Sequence, residues 1–465
     1  MANSFDGFRH TAQQAFFGAL DDHIDRLGWD RPRIIDFQRQ RCRALLAHAA
    51  AHSPFHARRL AVAGIDPAQF ELADLQRLPV MTKADLMTEF DDIVTDPRAR
   101  LAAAEHALSE TATEPSPIDD VLIVLASGGS SGERGVFVLD AATMAEFGCL
   151  LLRPMMARLR TAGGPAPGGL TIGIVAAGSA VHATGAGPRM LDGSPLRFVS
   201  VPVTLPIEQI VDRLNSIQPE ILFGYPSMLA VLALEQSARR LRIRPAAITV
   251  TSETLQTAHR DAIGAGFGGA PIVNSFGSTE GLVGATPPND QVFTFASDAC
   301  ITELVDANDR PVPPGTSSDA VLVTNLYNRI QPLIRYRLDD QFVDRGSVPG
   351  HGHLRAEVTG RGADVLVYDG VRIHPVVIRS ALTQISQVID YQIRQVPAGV
   401  HIDVVTNGLL DQDRIAIDIR DRLARAGLAD PEVTVTPVGA LPRHPLTGKK
   451  AHFVPLAVSS EPALR

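Results

Sequence analysis

The segments LTIGIVAAG (170–178), FVSVPV (198–203), EILFGYP (220–226), ITVTS (248–252) and PIVNSFG (271–277) decide the architecture. Each is a short apolar, largely β-branched run, and helical patterns near 207–216, 227–240 and 255–264 lie between the later ones. Strands alternating with helices imply βαβ units and a sheet of parallel strands buried between helical layers. In such sheets ligands sit beyond the strand C-termini, so the residues just after each run matter most. Upstream, VLIVLA (121–126) and a helix over about 141–160 belong to the same texture. After 290 the helices thin out, and ITELVD, AVLVTNL and LIRYRL suggest a smaller antiparallel β subdomain. From about 360 the pattern turns to mixed α+β, with a boundary near 360–364. The expected fold is α/β: a large N-terminal domain (1–360) with βαβ-type sheets and a small β subdomain, then a small mobile α+β C-terminal domain (361–465).

Nearer the N-terminus, residues 34–63 carry one helical pattern ending near Gly64, and Thr82 is placed to cap a short helix. The Ala-, Glu-, Thr- and Pro-rich segment 102–118 reads as surface loop. No internal repeat is found.

In the 465-residue chain, 43 Lys and Arg stand against 51 Asp and Glu, a net charge of −8, which argues against a nucleic-acid partner. Hydrophobic residues at 45% and charged residues at 20% rule out bulk disorder. The three cysteines, Cys42, Cys149 and Cys300, are far apart and never form a Cys-x-x-Cys pair, so neither a disulfide scaffold nor a zinc site is expected. The first residues lack a basic segment followed by an apolar run, and the most apolar stretch (170–181) is too short to span a bilayer. A cytoplasmic protein without membrane association is the expectation.

Five loops carry candidate chemistry. Ser127-Gly128-Gly129-Ser130-Ser131-Gly132 offers small residues and hydroxyls, suited to close backbone approach to a phosphate, or equally a plain flexible hairpin. It is not the P-loop of NTPases, because no Gly-Lys-Ser/Thr follows. Asn274-Ser275-Phe276-Gly277-Ser278-Thr279-Glu280 sets an aromatic, a hydroxyl and a carboxylate at the end of a buried strand. Phe276 could stack on a base, Thr279 donate to a phosphate and Glu280 hold Mg2+ through oxygen. In Ile334-Arg335-Tyr336-Arg337-Leu338-Asp339-Asp340, the acceptor-only Asp340 suits a ribose diol. Gly360-Arg361-Gly362-Ala363-Asp364 and a lysine-bearing loop, Leu441 to Lys450, complete the set. Taken singly each also fits a solvated surface loop; their order and spacing carry the argument.

That order includes GYPS at 224–227, SETL at 252–255, an aromatic-Gly-x-Thr-Glu motif, Tyr-Arg-x-x-Asp, Gly-Arg and a terminal Gly-Lys. It resembles the adenylate-forming superfamily of acyl- and aryl-CoA synthetases, peptide-synthetase adenylation domains and luciferases. SPFH (53–56), LPVMTKADL (78–86) and PLIRYR (332–337) resemble its phenylacetate–CoA ligase branch, and the likeness runs from about 34 to 455. It implies that ATP converts a small aromatic carboxylic acid to an acyl-adenylate, which passes to coenzyme A. A carrier-protein phosphopantetheine thiol or an amine is the alternative acceptor, and a homodimer is compatible with the branch.

By this resemblance Ser127, Ser130, Ser131 and Gly132 contact the β- and γ-phosphates. Ser252, Glu253, Thr254, Asn274, Ser275, Phe276 and Gly277 line the adenine site, and Thr279 contacts the α-phosphate. Glu280 binds Mg2+, Asp340 the ribose, and Arg361 approaches the nucleotide. His182, Tyr225 and Gly277 border the acid, and Lys449 reaches in from the small domain, which then rotates. The chain departs from the family pattern at Glu133 and Arg134, where Lys-Pro is common, at Ala363 in the hinge, and at Arg379. The 443–448 stretch is one residue longer than in many family members, which leaves both Lys449 and Lys450 as reaching lysines.

Overall fold

In the computed structural model the structure describes residues 5–127, 135–161, 169–176, 179–361, 366–368, 371–373, 376–382, 385, 387–443, 450–454 and 456. The chain opens with helices α1 (Phe5–Asp25), α2 (Arg31–His52), α3 (Pro54–Ala63), α4 (Lys83–Thr88), α5 (Phe90–Ile93) and α6 (Leu101–Glu110). Hairpin β1 (Leu122–Ala126) and β2 (Val136–Asp140) leads to α7 (Ala141–Thr161). Then come β3 (Leu170–Ala176), α8 (Ala183–Met190), β4 (Leu196–Pro202), α9 (Ile207–Ile217), β5 (Ile221–Gly224), α10 (Pro226–Ser237), β6 (Ala247–Thr251), α11 (Thr257–Gly266) and β7 (Ile272–Gly277).

The five apolar runs form strands β3 to β7, all parallel, in the spatial order β4-β3-β5-β6-β7. The sheet continues antiparallel through β8 (Val283–Ala285), β9 (Phe293–Phe295), β14 (Arg355–Arg361) and β13 (Asp340–Asp344). The expected small subdomain is a three-stranded antiparallel sheet of β10 (Cys300–Val305), β11 (Ala320–Asn325) and β12 (Tyr336–Leu338). The C-terminal α+β domain holds β15 (Leu366–Tyr368), β16 (Val371–Ile373), α12 (Val376–Leu382), β17 (Val388–Val396), β18 (Gly399–Thr406), α13 (Gln412–Arg425), β19 (Glu432–Pro437) and β20 (Phe453–Val454). Its buried side chains, from Leu366 to Val435, make a cluster separate from the main core.

Three local readings change. The 34–63 pattern is two helices, because Pro54 cannot continue α2: its ring has no N–H and clashes with the preceding turn. Instead Ser53 caps α3, accepting from the His56 N–H at 3.3 Å, and Gly64 ends it in the left-handed conformation. The segment read as loop over 102–118 contains α6, whose alanines are strong helix formers and whose Ala104, Ala107 and Leu108 are buried. The N-terminal α1 was not anticipated. Its Phe5, Phe8, Ala12, Phe16 and Leu20 form one buried stripe at helical spacing, in the same core cluster as residues of α7.

The branch-typical segments interlock. His56 Nε2 donates to the Pro332 carbonyl at 2.9 Å, and Arg59 donates to the Ile334 carbonyl at 3.1 Å and to that of Pro79. Met81 pairs with Tyr336 in a parallel bridge, donating to the Arg335 carbonyl at 3.0 Å. Arg335, with φ +53°, donates to the Leu78 carbonyl at 2.5 Å. SPFH, LPVMT and PLIRYR thus form one buried corner that fixes where β12 and β13 begin.

Candidate active site

The parallel register puts the ends of β3, β5, β6 and β7 on one rim: Val175 is opposite Gly224, Gly224 opposite Val250, and Thr251 opposite Ser275. The rim is tight. A Cβ on Gly224 would lie 2.7 Å from the Val175 carbonyl, which only glycine avoids, and Thr251 Oγ1 donates to the Ser275 carbonyl at 2.9 Å. From this rim emerge Tyr225, Ser252 and Phe276, as expected for ligand-facing loops of an α/β sheet.

Phe276 is half-buried and meets Phe293, Phe295 and Phe342 edge-on, with centroids 5.5 to 6.3 Å apart. Phe342 lies two residues after Asp340 on β13, so the aromatic cluster ties the Phe276 motif to the Tyr-Arg-x-x-Asp motif. Asp340 is buried and paired in register with Arg361 of β14; the Arg361 side chain lies outside the described residues. Asn274, on β7, exchanges hydrogen bonds with Thr286 through its backbone (3.0 and 2.9 Å).

After Gly277 a tight turn presents Thr279 and Glu280. Ser278 N–H donates to the Leu282 carbonyl at 3.0 Å, and Gly281 N–H to the Ser278 carbonyl at 3.0 Å. Gly281 has φ +105°, and a Cβ there would lie 2.1 Å from Asn325 Nδ2. Glu280 is buried. Nearby, the Tyr336 hydroxyl is buried with no hydrogen-bond partner among the described residues. Burial, with the Glu280 and Asp339 carboxylates, holds the phenol well above its ordinary range. A buried donor without a partner in the field of a carboxylate calls for a ligand oxygen or ordered water. Among the described residues no three His, Cys, Asp or Glu side chains cluster to hold a metal. A single buried carboxylate of this kind is a donor that suits Mg2+ when other oxygen ligands come from outside the protein.

Ser127 closes the base of the Ser/Gly loop: its N–H donates to the Gly135 carbonyl at 2.9 Å and its Oγ accepts from Gly135 N–H at 3.0 Å. Ser130, Ser131 and Gly132 lie outside the described residues, as do Glu133, Arg134 and Ala363. His182 precedes α8 and hangs from the same hairpin, its Nδ1 2.9 Å from the Ala126 carbonyl. A carbonyl only accepts, so Nδ1 carries the hydrogen and a neutral ring keeps Nε2 as acceptor. Tyr225 is fully buried at the start of α10, while Gly277 is exposed.

The SETL turn presents two exposed hydroxyl residues and one buried carboxylate. Ser252 takes a left-handed φ of +66°, and it and Thr254 are exposed. The Glu253 carboxylate, however, is buried against the start of α10 and the small domain. It accepts from Ser227 N–H at 3.2 Å and from Lys450 N–H at 3.1 Å, and faces Arg443, which also donates to Ser227 Oγ at 3.1 Å. Lys449 lies outside the described residues. The Lys450 ammonium is paired with Asp390, which also accepts from His452 at 3.1 Å. Burial would raise the Asp390 carboxyl, but the His452 hydrogen bond and the Lys450 charge hold it well below the usual range. Sequence reasoning missed Asp390, His452 and the buried His259 opposite them; no motif marks them.

No family model matches the chain. Phenylacetate-coenzyme A ligase of Thermus thermophilus is 25% identical over 417 residues, 85% of this chain and 83% of that protein. The enzyme of the same name from Aromatoleum evansii is 24% identical over 399 residues, 82% of each chain. These similarities support the resemblance to the adenylate-forming superfamily and its phenylacetate–CoA ligase-like branch. Among solved structures, 2-hydroxyisobutyryl-CoA ligase in the postadenylation state shares the fold, with a TM-score of 0.64, 20% identity, and coverage of 90% of this chain and 88% of that one. The same ligase in an open conformation gives 0.56 at 19% identity, covering 90% of each. The adenylate-forming fold accounts for the large sheet domain and the small α+β domain found here.

Proposed function

We propose that this chain is an AMP-forming acid–CoA ligase acting on a small aromatic carboxylic acid. A carboxylate is a poor acyl donor because its leaving group would be oxide. Attack of a carboxylate oxygen on the α-phosphorus of ATP expels pyrophosphate and gives an acyl-adenylate. The thiolate of coenzyme A then attacks the acyl carbon and expels AMP. Charge builds at the α-phosphoryl group, so catalysis rests on positioned donors and cations.

The observation that carries this reading is the gathering of Phe276, the Thr279–Glu280 turn and Asp340 around one rim. In this reading Phe276 and the Ser252–Thr254 turn hold adenine, Asp340 accepts from the ribose diol, and Thr279 donates to the α-phosphate. The hairpin loop holds the outer phosphates, and Mg2+ at Glu280 would neutralise phosphate charge. His182 and Gly277 border the acid, with Tyr225 packed behind. The reading divides the chain at 360/361, and the separate buried cluster beyond 366 supports that division. Because Lys450 is engaged with Asp390, Lys449 is the better lysine for reaching between the acid and the α-phosphate. The aromatic acid is favoured by the phenylacetate relatives.

Acid-dependent exchange of pyrophosphate into ATP, screened over aryl and alkyl acids, tests the proposal. Exchange should be fastest with arylacetic acids, and adding coenzyme A should yield thioester detectable by mass. No exchange with any acid overturns the reading, and exchange without thioester moves the acceptor to a carrier thiol or an amine.

A further inference from the structure

Between β11 and β12 the chain reads Asn325-Leu326-Tyr327-Asn328-Arg329-Ile330-Gln331, and four of its polar side chains are buried, with exposures of 0 to 7%. Such residues are costly in a core unless each finds partners, and the partners found here fall into two groups.

One group is the turn that presents Glu280. Asn325 Nδ2 donates to the Glu280 carbonyl at 2.9 Å, and the Tyr327 hydroxyl donates to the Gly281 carbonyl at 3.0 Å. Asn325 is locked in that orientation, because its Oδ1 accepts from the N–H groups of Tyr327 (2.9 Å) and Asn328 (3.0 Å). The absence of a Cβ at Gly281 is what lets Asn325 and Tyr327 approach so closely.

The other group is β2, the strand leaving the Ser127/Gly135 loop base. Among the described residues β2 pairs as a strand only with β1, so its far edge needs other partners for its backbone groups. Asn328 Nδ2 donates to the Val138 carbonyl at 3.0 Å. Gln331 Oε1 accepts from Val138 N–H at 3.1 Å, and its Nε2 donates to the Val136 carbonyl at 3.1 Å. Two side-chain amides therefore stand in for a third strand. Asn328 Oδ1 in turn accepts from Ile330 N–H (3.0 Å) and Gln331 N–H (3.1 Å), which makes the segment rigid between its two ends.

We infer that Asn325, Tyr327, Asn328 and Gln331 are positioning residues that hold the Glu280 turn and the β1–β2 hairpin at a fixed separation, and so set the geometry in which ATP–Mg is bound. The inference rests on the proposed function, since that reading gives both attachments a nucleotide. None of the four touches substrate in this scheme; they act through backbone carbonyls and amides.

Steady-state pyrophosphate exchange on the full chain tests this, with KM measured separately for ATP–Mg and for the acid. Tyr327→Phe removes one hydroxyl and keeps the ring. Loss of one such hydrogen bond should raise KM for ATP–Mg about five-fold and leave the acid KM within about two-fold. Gln331→Leu, at the opposite end, should move the same constant, and the double variant should lose less than the product of the single effects, as coupled sites do. If Gln331→Leu does not fold, Tyr327→Phe alone decides. A wild-type enzyme with acid-dependent exchange, together with a Tyr327→Phe variant whose KM for ATP–Mg is unchanged or moves equally with that for the acid, overturns the strap and leaves the functional reading standing. A wild-type chain with no exchange overturns both.

Discussion

The backbone N–H of Lys450 donates to Glu253 of the large domain at 3.1 Å, while its ammonium turns back to Asp390 in the small domain. One residue thus links the two domains through its backbone and is committed within one of them through its side chain. In the proposed function Lys449, its neighbour in sequence, is the lysine assigned to the nucleotide. Lys449→Ala should lower pyrophosphate exchange by about 10²- to 10³-fold, the usual effect of losing one charge-stabilising group. Lys450→Ala should keep exchange within about three-fold of wild type while destabilising the fold by about 3 kcal/mol, since it leaves the buried Asp390 carboxylate without its ammonium partner. Exchange rates and thermal unfolding of the two variants separate these outcomes; a reversed pattern would make Lys450 the reaching lysine.

Glu280 is the sharpest test of the proposed nucleotide site. The turn is fixed by its backbone, through Ser278, Leu282 and Asn325, so Glu280→Gln should leave the turn intact and remove only the charge. Exchange should fall by about 10²-fold or more, with the magnesium dependence moved to higher concentration. A magnesium titration matching wild type would remove Glu280 from the metal site.

How much of this was legible in the sequence follows from the range of the interactions involved. The β3–β7 sheet was legible because burial on both faces writes itself as continuous apolar runs. The Thr82 cap was legible because its partner, Asp85, is three residues away. The partners of the Glu253 carboxylate were not legible, because Ser227, Arg443 and Lys450 are contacts that span up to 197 positions. The Asn325–Gln331 strap carries one sequence signal, polar amides that interrupt an apolar strand exit. What they bind lies 45 to 195 residues away, beyond the reach of any local pattern. α1 was missed for a different reason, since its buried aromatics, Phe5, Phe8 and Phe16, are spread over about three turns and interrupted by Gly, Gln and Arg.

A second buried ion pair gives a stability prediction away from the proposed site. Arg153 donates to both Asp298 oxygens at 2.7 Å, and both side chains are almost wholly enclosed. Burial would raise the Asp298 carboxyl, but Arg153 overcomes this and holds it well below its usual range. Asp298→Ala should destabilise the fold by about 3–5 kcal/mol, because the guanidinium is left buried without its partner. Replacing Arg153 and Asp298 together with apolar residues should be much milder. Denaturant unfolding of the single and double variants measures the difference, and equal losses would mean that packing, not charge, is at stake.

Three buried histidines make stability depend on pH in a defined window. Burial, aided by the Arg59 charge, lowers His56 from 6.5 to about 3; burial likewise lowers His23 and His259 to about 4. In the unfolded chain each protonates near 6.5, so between about pH 6.5 and 4 the unfolded state binds more protons. Stability from these groups is therefore complete above 6.5 and is lost progressively as pH falls, by about 1.4 kcal/mol per pH unit for each proton bound only by the unfolded chain. His56 is the clearest probe, because Nε2 donates to Pro332 and Nδ1 lies 3.1 Å from Arg59 Nη1, which fixes a neutral ring. His56→Gln should lower stability at pH 7.5 yet flatten its decline between pH 6.5 and 4 by about one proton. Unfolding free energies across that range, in wild type and variant, give both slopes directly; parallel curves would mean that His56 is protonated in the native state.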